Sequence, residues 1–397
     1  MSVEGSRVAV IGGSIAGCAA AIALTRAGCD VTVYERARGT LQERGFGIGI
    51  PAGLHDELVS SGYLDNSTPA CRYSERAWFV ADASGTGQGR LLATQSSPIA
   101  CENWAVLWNS LHAKVPGGAY RSGVAVTEVH ASGHRPTLAF DEGGSERFDL
   151  VIGADGYRST VRHLIAPGAV PLPAGYGLWR ATCPEDTVPE PARRMLKHTA
   201  FMVAFPGGHA GGYLIPDHAR PGGRLLNWYV YIVPPTPFTD LRIMLPGDVD
   251  DPLLDLLDDV LASFPPLWRE TFRCTDRDRV SVQPLYDLTV PSYVSGRFVV
   301  LGDAGAVART HTASGATTAL LDALALERWC RTGRGWDEML DGYNQERCPA
   351  GNEQTELGRV LGQAQVTGAP DWQGMSPADF REWWRHLVSA RRTFLDG

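Results

Sequence analysis

Apolar and polar positions change period several times along this chain, and the changes mark out its elements. Val8 to Ile11 is a short uncharged run suited to a buried parallel strand. Gly12-Gly13 supplies a tight turn, and Ile15 to Ala27 is an alanine-rich stretch that favours helix. A second apolar run, Val31 to Tyr34, ends in Glu35, at the spacing of a dinucleotide-binding β-α-β unit. From about 70 to 100 come short polar and glycine-rich strands (AWFVADASGTGQGRLLA), and a helix-like stretch, Trp104 to Val115, leads on toward Asp149. From about 176 to 290 alternating, aromatic-rich runs such as TAFMVAFPG, AGGYLIPD and LLNWYVYIVPP, with Pro-Gly-Gly turns between them, predict an antiparallel sheet. A late buried strand, Phe298 to Leu301, is followed by Gly302-Asp303 and an alanine-rich helix from about Gly315 to Arg331. The chain beyond Pro349 reads as helical, with a helix start at Ser376-Pro377-Ala378-Asp379.

A strand and helix this late fit a nucleotide-binding domain assembled from separate segments, with a sheet domain inserted between them. The expected fold is α/β: a Rossmann-like domain from residues 1–70, 100–175 and 281–355, a mostly antiparallel sheet domain from 71–99 and 176–280, and a helical tail over 356–397. In the fingerprint VAVIGGSIAG the helix N-terminus aims free amides at a pyrophosphate, so Gly12, Gly13, Ser14, Ile15 and Ala16 are candidate phosphate contacts. Ser14 stands where the usual spacing puts a glycine. Glu35 is placed to accept hydrogen bonds from an adenosine ribose, with Arg36 beside it as a charge partner. Phe380, Trp383 and Trp384 in the tail are read as packing on the body of the protein or on a second copy in a homodimer, not as a ligand site.

Composition narrows the class without naming a reaction. The 397 residues are 44% hydrophobic and 20% charged, ordinary for a globular chain, and a net charge of -8 argues against nucleic acid or an anionic membrane as partner. Lysine occurs only at Lys114 and Lys197 while arginine is abundant, a coding bias and not a binding patch. The uncharged stretch Val8 to Leu24 imitates a secretory core, but Glu4 and a single Arg7 precede it where a basic cluster is required, so a cytoplasmic protein is expected. The eight cysteines show no C-x-x-C pair and no close Cys/His cluster, which argues against zinc or a disulfide relay and fits a reducing compartment.

Two acidic, glycine-adjacent turns, Asp155-Gly156 in DLVIGADGYRSTVR and Gly302-Asp303 in RFVVLGDAG, follow the fingerprint in order. With these three motifs, over about residues 7 to 350, the chain resembles the single-component FAD-dependent aromatic hydroxylases, the p-hydroxybenzoate hydroxylase-like family. It looks most like the hydroxypyridine-acting members, in its Gly-Gly-Ser start and a histidine after the Gly-Asp turn. The resemblance implies non-covalent FAD, NADPH or NADH as co-substrate, and dioxygen activated as a flavin hydroperoxide to hydroxylate a small aromatic substrate such as a hydroxypyridine or phenol. It places Arg44, Asp155, Gly302, Asp303, Gly315 and Ala316 with the fingerprint residues around FAD, and Gly156, Ser159 and Arg162 around the flavin and the nicotinamide donor. Departures are Val106 where the family has an arginine, and Ala308 and Thr310 where it often has a proline.

Hydroxylation of this kind needs a group to take the substrate hydroxyl proton. His311 is the candidate catalytic residue; a role as helix cap or polar filler stays open. Tyr213, Tyr229 and Tyr231 are candidate substrate contacts, although alternation sends only some strand residues into a pocket. Gln283 and Asp287 either approach the flavin or join the domains. No metal is expected. The alternatives are a flavin-dependent halogenase, which LNWYVYIVPP resembles faintly, and a non-catalytic protein on the same fold. Halogenases rely on a lysine that this chain lacks between the fingerprint and Lys114.

Overall fold

The structure, a computed structural model, describes residues 3–39, 41, 46–82, 87–132 and 135–388. The chain opens with β1 (Arg7–Ile11), α1 (Ile15–Arg26), β2 (Asp30–Glu35), β3 (Gly47–Pro51), α2 (Ala52–Ser60), β4 (Cys71–Val80), β5 (Arg90–Asn103) and α3 (Trp104–His112). It continues through β6 (Tyr120–Ser122), β7 (Val126–Ser132), β8 (Arg135–Phe140), β9 (Ser145–Arg147), β10 (Leu150–Gly153), α4 (Thr160–Ile165) and β11 (Leu172–Pro184). Next come α5 (Glu190–Met195), β12 (Thr199–Phe205), β13 (Gly208–Pro216), β14 (Arg224–Ile232), α6 (Asp251–Ala262), α7 (Pro266–Phe272) and β15 (Ser281–Asp287). Last are β16 (Val294–Ser295), β17 (Phe298–Val300), α8 (Gly315–Cys330), α9 (Trp336–Gly362) and α10 (Pro377–Val388).

A six-stranded sheet in the order β16-β17-β10-β1-β2-β6 forms the nucleotide-binding layer. Its central strands run parallel, Val8 opposite both Val31 and Leu150. Val8 to Ile11 and Leu150 to Gly153 are buried between helices such as α1 and α8 and the small antiparallel sheet β7-β8-β9, whose side meets β2 where Phe140 and Phe148 pack on Tyr34. β17 arrives from the far end of the chain and pairs parallel with β10, so the early and late motifs share one sheet edge. The expected α/β class with an inserted, mostly antiparallel sheet and a helical C-terminal region is the observed one.

The second sheet has eight strands in the order β15-β11-β14-β13-β12-β4-β5-β3. All its pairings are antiparallel except β12 with β4. Strand pairing moves two segments: β3 and β15, counted from sequence with the nucleotide-binding domain, hydrogen-bond into this larger sheet. Three helices, α5, α6 and α7, also stand where only strands were expected. In α6, Leu254, Leu257 and Leu261 recur at helical spacing and are buried, and Asp250 caps the first turn by accepting from Leu253 N–H at 3.2 Å. They seal the sheet's outer face around Trp228, Trp268 and Phe272.

The C-terminal region packs on the body of the protein. Ser376 and Asp379 cap α10 reciprocally, at 2.9 and 3.2 Å, and Phe380 is buried against Trp78 and Trp372. No helix among the described residues is long and apolar enough to cross a membrane.

Candidate active site

A cavity of about 880 Å³ runs from the carboxyl ends of the parallel strands to the inner face of the large sheet. At its nucleotide end, Gly12 has φ +99, and a Cβ there would lie 2.3 Å from the Ala154 carbonyl oxygen, so the turn requires glycine. Ser14 precedes α1 without capping it by its side chain, which leaves the first amides of the helix free. Ser14, Ile15 and Ala16 line the cavity. Gly13 does not. Its carbonyl accepts from Trp108 Nε1 at 2.8 Å and the Tyr120 hydroxyl at 3.0 Å, on the side away from the cavity.

Glu35 is buried at the end of β2 yet still reaches the cavity, where Arg36 also lies. One carboxylate oxygen accepts from Gly13 N–H and the other from Ala37 N–H, both at 2.8 Å, so the same side chain closes the fingerprint turn. Asp155 accepts from Thr160 N–H at 2.7 Å with one oxygen and leaves the other unpartnered, and burial pushes its carboxyl up. Asp303 is exposed to the cavity, and the protein packed around it pushes its carboxyl up to about 6. Gly315 and Ala316 line the cavity at the N-terminus of α8, whose flanking Ser314 supplies no side-chain cap. Arg44 lies outside the described residues.

Three residues expected beside the ligand, Gly302, Ser159 and Arg162, stand behind the lining instead. Ser159 caps α4 by accepting from Arg162 N–H at 2.9 Å. The Arg162 guanidinium donates to the carbonyls of Tyr157 at 2.6 Å and Ala304 at 3.3 Å, tying the two acidic turns together. Gly302, with φ +56, is buried, and its N–H donates to Asp322 Oδ2 at 2.9 Å. Asp322 is paired in turn with Arg347 at 2.6 Å. Neither Asp322 nor Arg347 belongs to a recognisable motif, and sequence reading missed both. The departure at Val106 lies away from the cavity, whereas Ala308 and Thr310 line it.

At the other end, register lays out the sheet face. Gln283, Leu178, Tyr231 and His209 form one row across β15, β11, β14 and β13. The next row is Arg180, Tyr229, Gly211 and Met202, and beyond it Asn227 pairs with Tyr213. The expected Tyr213, Tyr229 and Tyr231 therefore all face the cavity, and Trp228, out of phase, points outward to Thr275 at 2.8 Å. Gln283 lines the cavity. Asp287 does not, being buried between Arg309 at 2.9 Å and Arg359 at 2.7 Å, so it joins sheet to helix.

His311 stacks on the Tyr231 ring at 4.0 Å, within a short turn whose Thr310 hydroxyl meets Tyr231 OH at 2.9 Å. Its Nε2 shares a hydrogen bond with the Tyr176 hydroxyl at 2.8 Å, and its Nδ1 is sealed from solvent with no partner. Burial holds His311 well below the usual histidine range and His209, whose ring lies 5.3 Å away, at about 3, so both are neutral at pH 7. Sequence reading missed His209, Tyr176 and Arg180. Arg180 had a legible signal, a charge in phase with the inward face of the apolar run GLWRATC. No group of three or more His, Cys, Asp or Glu among the described residues could hold a metal ion.

Comparison with known proteins gives this geometry relatives. Residues 7–63 match the family model for pyridine nucleotide-disulphide oxidoreductases. The chain is 29% identical to 2,6-dihydroxypyridine 3-monooxygenase from Paenarthrobacter nicotinovorans, over 82% of this chain and 83% of that one. The solved structure of 2,6-dihydroxypyridine-3-hydroxylase from Arthrobacter nicotinovorans superimposes with a TM-score of 0.82 at 22% identity, covering 94% of this chain and 96% of that one. Klebsiella pneumoniae HpxO, complexed with FAD and uric acid, superimposes with a TM-score of 0.77 at 20% identity, covering 97% and 93%. These structures share the fold.

Proposed function

We propose, for a chain whose homologues are FAD-dependent aromatic monooxygenases, that it is one itself, inserting one atom of dioxygen into an electron-rich ring such as a hydroxypyridine or phenol at the expense of NADPH or NADH. The observation that carries the reading is one continuous cavity, with dinucleotide-type turns at one end and a row-ordered aromatic sheet face at the other. The residues suit FAD held without a covalent link. Free amides at α1 would hold the pyrophosphate, Glu35 would accept from the ribose, and the α8 N-terminus would favour negative charge on the reduced ring. When bound, FAD supplies reduction by the nicotinamide and activation of dioxygen.

The chain's own tasks are orientation, exclusion of water and one proton transfer. Tyr229, Tyr231 and Met202 offer a flat, mostly apolar bed for a ring, and Tyr213 stays a neutral hydroxyl because burial raises it far above the usual range. We assign the substrate hydroxyl proton to His311 acting with Tyr176. A neutral imidazole can accept a proton, and the tyrosine hydroxyl fixes which nitrogen carries hydrogen. Access requires the imidazole to turn so that a nitrogen enters the cavity. The domain division of the sequence is kept in outline, with β3 and β15 given to the sheet domain. All eight cysteines are free, which supports a cytoplasmic setting. The test is FAD reconstitution followed by a screen of hydroxypyridines and phenols for oxygen-dependent NAD(P)H oxidation with a one-oxygen mass gain. Protein that cannot be loaded with FAD would overturn the assignment.

A further inference from the structure

Arg180 lies on the cavity face of β11, with Tyr229 opposite it on β14 and Ser281 on β15. Its guanidinium rests on the Phe46 ring, 3.8 Å from the centroid, and its Nε is sealed from solvent with no acceptor. The other enclosed arginines differ. Arg309 and Arg347 have aspartates, at 2.9 and 2.6 Å, and Arg162 has backbone carbonyls. The polar groups that bear electrostatically on Arg180 are the hydroxyls of Tyr213 and Tyr231, and no carboxylate among the described residues pairs with it. Burial lowers the guanidinium only to about 10, so it is charged at neutral pH. An enclosed cation without a counter-charge is costly, and the cost falls when a ligand brings the anion.

We propose that Arg180 is the anion-binding residue of the cavity, its partner an oxyanion carried in by a ligand. Phe46 covers one face of the planar fork and orients it, and the fork's N–H edge suits two oxygens side by side, or an oxygen beside a ring nitrogen. The proposal rests on the reading of the cavity as an FAD and aromatic-ring site. Two ligand groups then share the required chemistry: a carboxylate or ring oxyanion of the substrate, and the N1 and adjacent carbonyl edge of reduced flavin.

The experiment compares wild type, Arg180→Met and Arg180→Lys in three readouts. These are FAD affinity by fluorescence, the two-electron potential of the loaded protein, and calorimetric binding of salicylate against its neutral amide, salicylamide. A substrate anion predicts that Arg180→Met weakens salicylate about 30-fold or more but salicylamide less than about threefold, with partial recovery in Arg180→Lys. A flavin anion predicts unchanged ligand ratios and a loss of about tenfold in preference for reduced flavin, about 30 mV in the potential. Either pattern supports the proposal. Arg180→Met equal to wild type in all three overturns it, as does wild type that binds FAD but neither probe while the potential of Arg180→Met stays unmoved. Wild type that takes up no FAD refutes the enzymatic reading instead, and the calorimetric ratio still decides the anion site. Circular dichroism of both variants separates misfolding from lost binding.

Discussion

Replacing Arg347 by Met tests whether the late acidic turn is held from behind. Asp322 is fully buried on α8, with one oxygen accepting from Gly302 N–H at 2.9 Å and the other from Arg347 Nε at 2.6 Å. Arg347 reaches it from α9, and its side chain is only 10% exposed. Removing the guanidinium leaves a buried carboxylate with a single hydrogen bond, a change that costs about 3 to 5 kcal/mol. The lower part of that range is expected, because burial already pushes the Asp322 carboxyl up and it can take a proton instead of staying charged. The sign follows from that proton. A carboxyl raised in the folded state stabilises at low pH and loses the contribution as pH rises, so the deficit of Arg347→Met should shrink from pH 8 to pH 5. Adding Asp322→Asn removes the charge and keeps an acceptor for Gly302 N–H, so the double variant should recover about 1.5 kcal/mol or more. Urea unfolding midpoints measure the stabilities and fluorescence titration the FAD affinity, which should fall about tenfold in Arg347→Met as the turn carrying Asp303 loosens. Arg347→Met within about 1 kcal/mol of wild type, or a double variant no better than the single, would refute the argument.

Glu35→Ala removes the brace on Gly13 and, with it, the ribose acceptor proposed above. FAD should weaken by about 1 to 3 kcal/mol, and an affinity within twofold of wild type would separate Glu35 from the cofactor. Asp303 is open to the cavity, and the protein packed around it raises its carboxyl to about 6, so it favours the folded FAD-free protein below its ordinary value and loses that contribution as pH climbs through 6. Asp303→Asn should therefore melt higher than wild type at pH 7.5 without FAD and match it near pH 4; equal melting at pH 7.5 would contradict this. His311→Phe should leave FAD bound and reducible while slowing hydroxylation by about 10² and diverting turnover to hydrogen peroxide. Tyr176→Phe should keep FAD and ligand binding but shift the pH profile of coupling; normal coupling from pH 6 to 9 in both variants would return the pair to packing.

Much of the nucleotide-binding half was legible in the sequence because its signals are short-range. An uncharged four-residue run closed by a glycine turn suits a short strand buried on both faces, and a glycine pair before an alanine-rich stretch reads as a turn into a helix. An acidic residue at the next strand end lies close to that turn through geometry that β1, α1 and β2 share. Alternation likewise put Tyr213, Tyr229 and Tyr231 on one face and Trp228 on the other once the strands were known. What the chain alone left open depends on contacts between distant segments. Arg162 and Ser159 sit inside a flavoenzyme motif, yet only the docking of β17 beside β10 brings the Ala304 carbonyl to the guanidinium and turns the arginine into a brace. Asp287 was undecided until two arginines, one just after the late turn and one on α9, closed on it. The helical period of Leu254, Leu257 and Leu261 was visible but was outweighed by the sheet on either side. His311 is the clearest case. Its position after the Gly-Asp turn places it in the cavity wall, but whether it is charged, and which nitrogen is free, follows from Tyr176 and the burial around it. Local pattern determines backbone conformation, whereas protonation and partnership depend on the surrounding dielectric and neighbours, which exist only after the two sheets have closed on each other.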